Sequence, residues 1–153
     1  MANVQRTVVL LKPDALQRDL LGEIIARFER KGYKIVAMKL IQLSNALVDE
    51  HYAHHKAKSF FAGLKKFMMH TPVVAMILEG DEAVASVRKI LGATNPLNAE
   101  AGTIRGDFAL ATASNLVHAS DTAENAAIEV KRFFKEEEIF SYEKISDRYH
   151  SGD

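Results

Sequence analysis

The sequence predicts an α/β (α+β) domain in which a four-stranded sheet is covered by helices. Four short apolar runs have the length and the β-branched content typical of buried strands. Between these runs, apolar residues recur at the spacing of amphipathic helices. A length of 153 residues fits one domain. We therefore expect a βαββαβ sandwich with a helical hairpin inserted in its middle.

The first predicted unit is a strand, a helix and a second strand. Thr7–Lys12 is a β-branched and aliphatic run that Pro13 stops, and it is typical of a buried strand. The segment Leu20–Lys31 has helical apolar spacing, and Gly32 is placed to end that helix. Tyr33–Leu43 alternates loosely and predicts the second strand.

The middle of the chain predicts the inserted hairpin and the third strand. Ser44 and Ser59 are suited to cap two shorter helices, at about residues 45–57 and 60–69. The apolar run Pro72–Glu79 predicts a third strand after them.

The last predicted unit is a helix, a strand and a helix. Asp81–Leu91 has an acidic start that suits the positive end of a helix. Asn115–Ala119 predicts a short fourth strand, and Thr122–Phe134 predicts a long helix opened by Ser120 and Asp121. The remaining tail is polar and irregular. We expect one domain over residues 1–153, with its core at about 5–140.

The segment from Gly92 to Ser114 shows no regular period and is too long for a routine connection. Loops of this length in compact domains are usually functional or disordered. This one carries residue types suited to grip a ligand, namely Thr94, Asn95, Pro96, Thr103 and Arg105.

Composition excludes several classes of function. Twenty basic residues balance twenty acidic ones, so no polybasic surface is expected to hold nucleic acid through its phosphates. The absence of cysteine excludes disulfides and thiolate metal sites. The sequence has no signal-peptide pattern and no stretch as long as a membrane helix, so a cytoplasmic protein without membrane contact is expected.

His118 lies at the end of a predicted buried strand, directly before a helix start. A histidine in this position is often a satisfied structural residue. The helix start, however, brings donor groups and a positive dipole near the ring. Glu129, inside that helix, could fix one ring nitrogen and leave the other free to attack. His118 is therefore a candidate nucleophile.

Three basic residues lie in different predicted elements. Lys12 ends a strand, Arg88 lies on a helix, and Arg105 lies on the long loop. Each alone is more often a solvated charge. Together, near Thr94 and Asn115, they suit an acidic ligand such as a polyphosphate. Neither a Walker A loop nor a GxGxxG turn is present, so side chains would have to grip the phosphates.

Two aromatic segments have competing interpretations. His51 and His55 are one helical turn apart, which suits metal ligands, but no third ligand is apparent and a solvated helix face is favoured. Phe60 is most simply a packing residue, although an exposed aromatic at a helix start could stack on a base.

Four segments taken together resemble the nucleoside diphosphate kinase family: TVVLLKPDALQR, HYAHHKAKSFF, GATNPLNAEAGTIRGDF and NLVHASD. The resemblance runs from about Thr7 to Phe140. It implies a ferredoxin-like fold with an antiparallel sheet. It also implies a ping-pong transfer, in which a nucleoside triphosphate phosphorylates His118 and a nucleoside diphosphate then takes up the phosphate.

The resemblance also implies residue roles. Lys12 and Asn115 would bind the sugar hydroxyls, and Phe60 would stack on the base with little base preference. Glu129 would orient the His118 ring, Ser120 would bond Glu129, and Tyr52 would lie beside the imidazole. The phosphates would be bound by Arg88, Thr94 and Arg105. Mg²⁺ would arrive on the nucleotide phosphates, with no metal site in the protein itself.

The chain departs from the family pattern at one position, and two alternative functions stay open. The family usually has glycine directly after the histidine, where this chain has Ala119. The alternatives are a non-catalytic regulatory member of the fold and an RNA-binding module, although the aliphatic strands lack the paired aromatics of the latter. The family assembles, so a homo-oligomer, tetramer or hexamer, is expected.

Overall fold

The computed structural model describes residues 3–150, which contain four strands and seven α-helices. The strands are Val4–Leu11 (β1), Lys34–Ile41 (β2), Val73–Asp81 (β3) and Val117–Ala119 (β4). The helices are Pro13–Gln17 (α1), Leu21–Lys31 (α2), Asn45–His51 (α3), Phe61–Met68 (α4), Ala83–Leu91 (α5), Ile104–Phe108 (α6) and Ala123–Phe133 (α7). The order of elements therefore contains the predicted βαββαβ core and its helical insertion.

The four strands form one sheet in the order β2-β3-β1-β4, and every neighbouring pair is antiparallel. The predicted antiparallel, ferredoxin-like arrangement is confirmed. β1 and β3 are the two central strands. The register of β4 places His118 opposite Leu10 and Ala119 opposite Val9.

Both faces of the sheet are covered, because successive side chains of a strand point to opposite faces. Val9 and Leu11 of β1 belong to one core, which packs against α2 and α5. Val8 and Leu10 belong to the other core, which includes residues of α3, α4 and α7. This two-sided burial explains why β1 is a continuous apolar run rather than an alternating one.

The segment after β1 forms a helix that periodicity did not predict. Pro13 occupies the first position of α1, where its fixed φ suits a helix and its missing N–H is not needed. Pro13 therefore both ends the strand and starts α1. The next helix, α2, ends as predicted at Gly32, whose φ of 110° is left-handed.

Three predicted helix boundaries differ from the structure. Ser44 caps α3 as predicted, but α3 ends at His51 and a 3₁₀ turn follows. Ser59 is not the cap of α4, which begins after Phe60 without a side-chain cap. Asp81 ends β3 rather than starting α5, because β3 continues its pairing with β1 to that residue.

The long loop has more local structure than its sequence indicates. The Asn95 side chain caps a 3₁₀ turn at Pro96–Asn98, and Thr103 caps α6. A Cβ atom at Gly106 would lie 2.0 Å from the Glu100 carbonyl oxygen, so the loop can close this tightly only around glycine.

The C-terminal segment lies along the edge strand β2. The Phe140 amide donates to the Val36 carbonyl oxygen at 2.8 Å, and the Tyr142 hydroxyl donates to the Ile35 carbonyl oxygen. These bonds satisfy backbone groups next to the bulge between Ile35 and Ala37. Among residues 3–150, no helix has both the length and the apolar character that crossing a membrane requires.

Candidate active site

A cavity of about 520 Å³ opens at the end of β4 and is closed by α3, α7 and the long loop. Its volume is within the range of small-molecule sites. Eight of the predicted site residues line it: Lys12, Tyr52, Arg88, Thr94, Arg105, Asn115, His118 and Glu129. Ser120 and Phe60 are not part of this lining.

The His118 ring is held by a carboxylate. Nε2 of His118 lies 2.9 Å from Oε2 and 3.2 Å from Oε1 of Glu129. A carboxylate only accepts hydrogen bonds, so Nε2 carries the proton and Nδ1 keeps its lone pair. The side chain is 23% exposed. The ring therefore combines a fixed tautomer with access from the cavity.

Glu129 reaches His118 from the middle of α7 and is itself buried. Burial acts to raise the pKa of this carboxyl, but the hydrogen bond and the charge of His118 outweigh it and lower the pKa. Glu129 is therefore ionised at neutral pH. An ionised partner also stabilises the imidazolium or a phosphorylated ring.

Ser120 is fully buried behind the histidine. Its Oγ accepts a hydrogen bond from the Val8 amide at 3.1 Å and lies 3.5 Å from the Val8 carbonyl oxygen. The Val8 contacts make Ser120 a link between β1 and the start of α7. The Ser120 hydroxyl also contributes to lowering the pKa of Glu129.

The ring packed against His118 is that of His51. Their centroids are 4.6 Å apart with planes at 84°. Burial lowers the pKa of His51 to about 2, and the positive charges of a protonated His118 and of Arg132 act in the same direction. Arg132 Nη1 donates to His51 Nδ1 at 3.0 Å. His51 is therefore a neutral side chain, contrary to the solvated helix face expected for this segment.

Arg105 is a buried cation that organises the loop around the cavity. Its guanidinium donates to the carbonyl oxygens of Gly92 at 3.0 Å, Val117 at 2.6 Å and Asn115 at 3.3 Å. Burial and then the charge of Arg88 lower its pKa to about 10, which leaves it charged at neutral pH. A guanidinium has five N–H donors, so two remain for a ligand.

Lys12 and Asn115 form one unit at the cavity wall. Lys12 Nζ donates to Asn115 Oδ1 at 2.8 Å, and Asn115 Nδ2 donates to the Thr94 carbonyl oxygen at 2.9 Å. Burial and then the charge of Arg105 lower the pKa of Lys12 to about 8, while Asp14 opposes the shift. This pair therefore ties β1 to the long loop.

Arg88 and Tyr52 are two further predicted residues in the cavity wall. Arg88 is exposed on α5 and donates to the Ala119 carbonyl oxygen at 3.1 Å. The Tyr52 ring packs against His51, with 4.6 Å between centroids. Within residues 3–150 the buried Tyr52 hydroxyl has no hydrogen-bond partner. Burial, and then the charge of Glu129, raise the pKa of that hydroxyl, so it remains protonated and able to donate.

Phe60 lies beside the cavity rather than in its wall. Its side chain is 51% exposed, and its ring contacts the His55 ring, with 5.2 Å between centroids. His55 does line the cavity. An exposed aromatic face next to the opening is available to a flat ligand group.

Ala119 has an ordinary backbone, whereas a residue close to it does not. Leu116 has a φ of 73°, and Ala119 is not among the non-glycine residues with positive φ in the described part of the chain. Ala119 pairs with Val9 inside the sheet and is almost fully buried. Residue 119 therefore does not require glycine, and the strained position lies three residues earlier.

Sequence reasoning missed several side chains that the fold brings to the cavity. His51 and Arg132 flank the catalytic candidate, and Asp121, Asn125 and Ile128 line the wall. The helical spacing of Asn125, Glu129 and Arg132 was the available signal, since residues three or four apart share a helix face.

An antiparallel sheet whose edge strand carries a carboxylate-bound histidine, in a cavity lined by cations, is typical of a phosphotransferase. The family model for nucleoside diphosphate kinase matches residues 5–139. The nucleoside diphosphate kinase of Carboxydothermus hydrogenoformans is 51% identical over 146 residues, which cover 95% of this chain and 98% of that protein. That of Pyrococcus abyssi is also 51% identical, with 95% and 94% covered.

Solved structures agree with this comparison. A nucleoside diphosphate kinase family protein from Babesia bovis superposes with a TM-score of 0.93 at 43% identity, covering 96% of this chain and 99% of that one. A halophilic nucleoside diphosphate kinase from Halobacterium salinarum, in complex with CDP, gives 0.94 at 39% identity, covering 97% and 99%. The chain therefore belongs to the nucleoside diphosphate kinase family of phosphotransferases.

Proposed function

We propose that the protein transfers the γ-phosphate of a nucleoside triphosphate to a nucleoside diphosphate through a phosphohistidine at His118. The bond between His118 Nε2 and the Glu129 carboxylate, at 2.9 Å, carries this proposal. It leaves Nδ1 as the nitrogen with an available lone pair. A nucleophile activated by a second group, which is itself held in place, is the arrangement that covalent catalysis requires.

The reaction has two balanced steps. In the first, Nδ1 of His118 attacks the γ-phosphorus, and the bond to the bridging oxygen breaks to release the nucleoside diphosphate. In the second, a terminal oxygen of another nucleoside diphosphate attacks the same phosphorus, and the nitrogen–phosphorus bond breaks. Because donor and acceptor are chemically similar, one cavity serves both in turn, and the overall equilibrium lies near unity.

The cations supply the charge stabilisation that phosphoryl transfer needs most. Arg105 and Arg88 both line the cavity, and we assign them, with the Thr94 side chain, to the phosphates. Lys12 and Asn115, already bonded to each other, are assigned to the sugar hydroxyls. Tyr52, whose buried hydroxyl lacks a partner within residues 3–150, is assigned to the wall beside the reacting histidine.

Mg²⁺ is proposed to arrive on the nucleotide phosphates. The one candidate cluster within residues 3–150 is His51, His118 and Glu129. Two imidazole nitrogens and one carboxylate do not suit Mg²⁺, which prefers oxygen ligands. When bound to the nucleotide, Mg²⁺ neutralises part of the phosphate charge. The protein's own contribution is then the cationic wall and the fixed His118 ring.

Broad base specificity is proposed from the position of Phe60. Its exposed ring offers stacking, which every base can accept. The Halobacterium salinarum relative is in complex with a pyrimidine nucleotide, CDP. A purine would use the same ring face.

We further propose a single domain that acts in the cytoplasm as a homo-oligomer, tetramer or hexamer. Large apolar side chains are exposed on the edge strand β2, at Met38 and Leu40, and in the long loop at Leu97. The tail after Phe140 is a further candidate contact surface. A mass of 17 kDa in solution at micromolar concentration would contradict assembly.

The direct test uses γ-labelled ATP. Wild-type protein should acquire an acid-labile, base-stable label and lose it to any added nucleoside diphosphate. His118→Ala should abolish label and turnover, whereas His70→Ala, which removes an exposed histidine outside the cavity, should retain both. Labelling of His118→Ala at the wild-type level, or a wild-type protein without turnover, would refute the proposal. The latter result would favour a regulatory member of the family.

A further inference from the structure

We propose that Asp14 is a positioning residue for the reaction: its carboxylate holds a strained turn at Leu116, and this turn places Asn115, the hydrogen-bond partner of Lys12. The inference rests on the proposed function of the cavity and adds a residue to it. Asp14 itself does not line the cavity. It acts through two groups that do, Asn115 and Lys12.

The turn at Leu116 is strained. Leu116 has a φ of 73° and is fully buried, and the Val117 amide donates to the Asn115 carbonyl oxygen at 2.9 Å. A bond between residues two apart, with positive φ at the central residue, is the rare and strained form of the γ-turn. A β-carbon-bearing residue keeps such a conformation only where its surroundings hold it.

The segment around Asp14 supplies that hold. The Leu116 amide donates to Asp14 Oδ2 at 3.0 Å, and the Leu116 carbonyl oxygen accepts from the Lys12 amide at 2.9 Å. Both backbone polar groups of the strained residue are thus bonded by residues at the end of β1 and the start of α1. Without the carboxylate, a buried amide hydrogen would lose its acceptor, which costs more than an exposed bond.

The turn at Leu116 fixes the positions of hydrogen-bonding groups that line the cavity. Asn115, directly before Leu116, connects Lys12 Nζ to the Thr94 carbonyl oxygen. Two residues after Leu116, His118 pairs with Leu10 of β1. A relaxed turn would move Asn115 relative to His118. The nucleotide contacts and the reacting nitrogen would then lose their mutual geometry.

The Asp14 carboxylate is committed to the Leu116 amide. Its other oxygen, Oδ1, is buried without a hydrogen-bond partner within residues 3–150. In that part of the chain, the Leu116 amide is the one recorded donor to this side chain.

Two substitutions separate the acceptor of Asp14 from its charge. Asp14→Ala removes acceptor and charge, and should lower kcat/KM by about ten- to a hundredfold, the range for a buried amide left unpaired. Asp14→Asn removes the charge but retains an acceptor for Leu116, and it should keep most of the activity at pH 7.

The Leu116 amide itself gives the decisive comparison. Leu116 amide exchange, followed by nuclear magnetic resonance, should be slow in the wild type and Asp14→Asn and fast in Asp14→Ala. Asp19→Asn is the matched control, because Asp19 is exposed just after the same helix and its neutralisation should leave kcat/KM unchanged.

The outcomes distinguish this inference from the proposed function. Equal kcat/KM in Asp14→Ala and the wild type, or a loss in Asp14→Asn as large as the loss in Asp14→Ala, would overturn the positioning role. If Asp14→Ala does not fold, Asp14→Asn and the Leu116 amide exchange still decide. A wild-type protein that forms no phosphoenzyme would instead refute the proposed function, and the exchange measurement would still test the turn.

Discussion

His51 packs edge-to-face against His118, with 4.6 Å between the ring centroids. Because Arg132 donates to Nδ1 of His51, the proton of the neutral ring is on Nε2. His51 therefore cannot donate from Nδ1 to Glu129, although Glu129 Oε2 lies only 3.7 Å away. Of these two rings, only His118 therefore donates a hydrogen bond to the Glu129 carboxylate. A protonated His51 would compete for it.

The first prediction concerns His51 and the acid stability of the fold. In the unfolded chain a histidine takes up a proton below about pH 6.5, whereas His51 in the fold stays neutral down to about pH 2. The free energy of unfolding should therefore fall as pH decreases below 6.5, by up to about 2 kcal/mol at pH 5.

His51→Gln, which cannot titrate, should flatten the pH dependence of the unfolding free energy between pH 6.5 and 5. Urea unfolding at several pH values measures it. His70→Gln, at an exposed position, serves as the control and should retain the wild-type slope. A slope in His51→Gln equal to that of the wild type would show that His51 protonates freely in the fold.

The second prediction concerns Arg105. Its removal leaves the carbonyl oxygens of Gly92, Asn115 and Val117 without their shared donor. Arg105→Ala should lower the unfolding free energy by roughly 1–3 kcal/mol and kcat/KM by about ten- to a hundredfold, with the circular dichroism spectrum retained.

Arg18→Ala is the matched control for Arg105→Ala, since Arg18 donates to one carbonyl oxygen, of Phe108, on an exposed surface. It should change stability by at most about 0.5 kcal/mol. Equal kcat/KM in Arg105→Ala and the wild type would mean that the long loop contributes nothing to nucleotide binding.

The third prediction concerns base recognition by Phe60. One stacking contact is worth about 1–3 kcal/mol, and the ring is 51% exposed, which favours the lower end. Phe60→Ala should therefore raise KM by about tenfold for purine and pyrimidine diphosphates alike. Phe140→Ala, at another exposed phenylalanine, should not. A loss confined to one base would contradict a stacking role.

The fourth prediction concerns Ala119. Its φ is not positive, so its backbone does not require glycine. Its side chain is buried in one of the two cores that cover the sheet. Ala119→Gly should change kcat by less than about tenfold, or 1.4 kcal/mol in barrier height. It should reduce stability by about 0.5–1 kcal/mol, through the greater freedom of glycine. A hundredfold gain in kcat would identify alanine as the cause of a damaged site.

Local patterns were sufficient for most of the fold. The apolar runs of β1 and β3 predicted strands because both faces of those strands are buried. Gly32 predicted the end of α2 because its role depends only on its own backbone conformation. Ser44 predicted the start of α3 because its role depends on one nearby amide. The prediction that Asp81 starts a helix was wrong, because its pairing with Val4 in the sheet outweighs its preference for a helix start.

The site was predicted unevenly. The motif around His118 and the basic residues at Lys12 and Arg105 indicated a phosphate-handling cavity, and the fold brings these residues together. His51 was assigned to solvent because its helix segment is polar. Its burial depends on His118 and on Arg132, which is 81 residues away in the chain.

The sequence by itself determined the strand order along the chain, the helical insertion, the family and the residues that carry charge. These follow from periodicity, capping and short motifs, which act over a few neighbouring residues. The tertiary structure alone decided which imidazole is neutral, which nitrogen of His118 is free, and which residue is strained. Leu116 keeps its left-handed turn because Asp14, 102 residues earlier, accepts its amide hydrogen. Such effects require groups distant in sequence to be desolvated together, and only the packed sheet and helices bring that about.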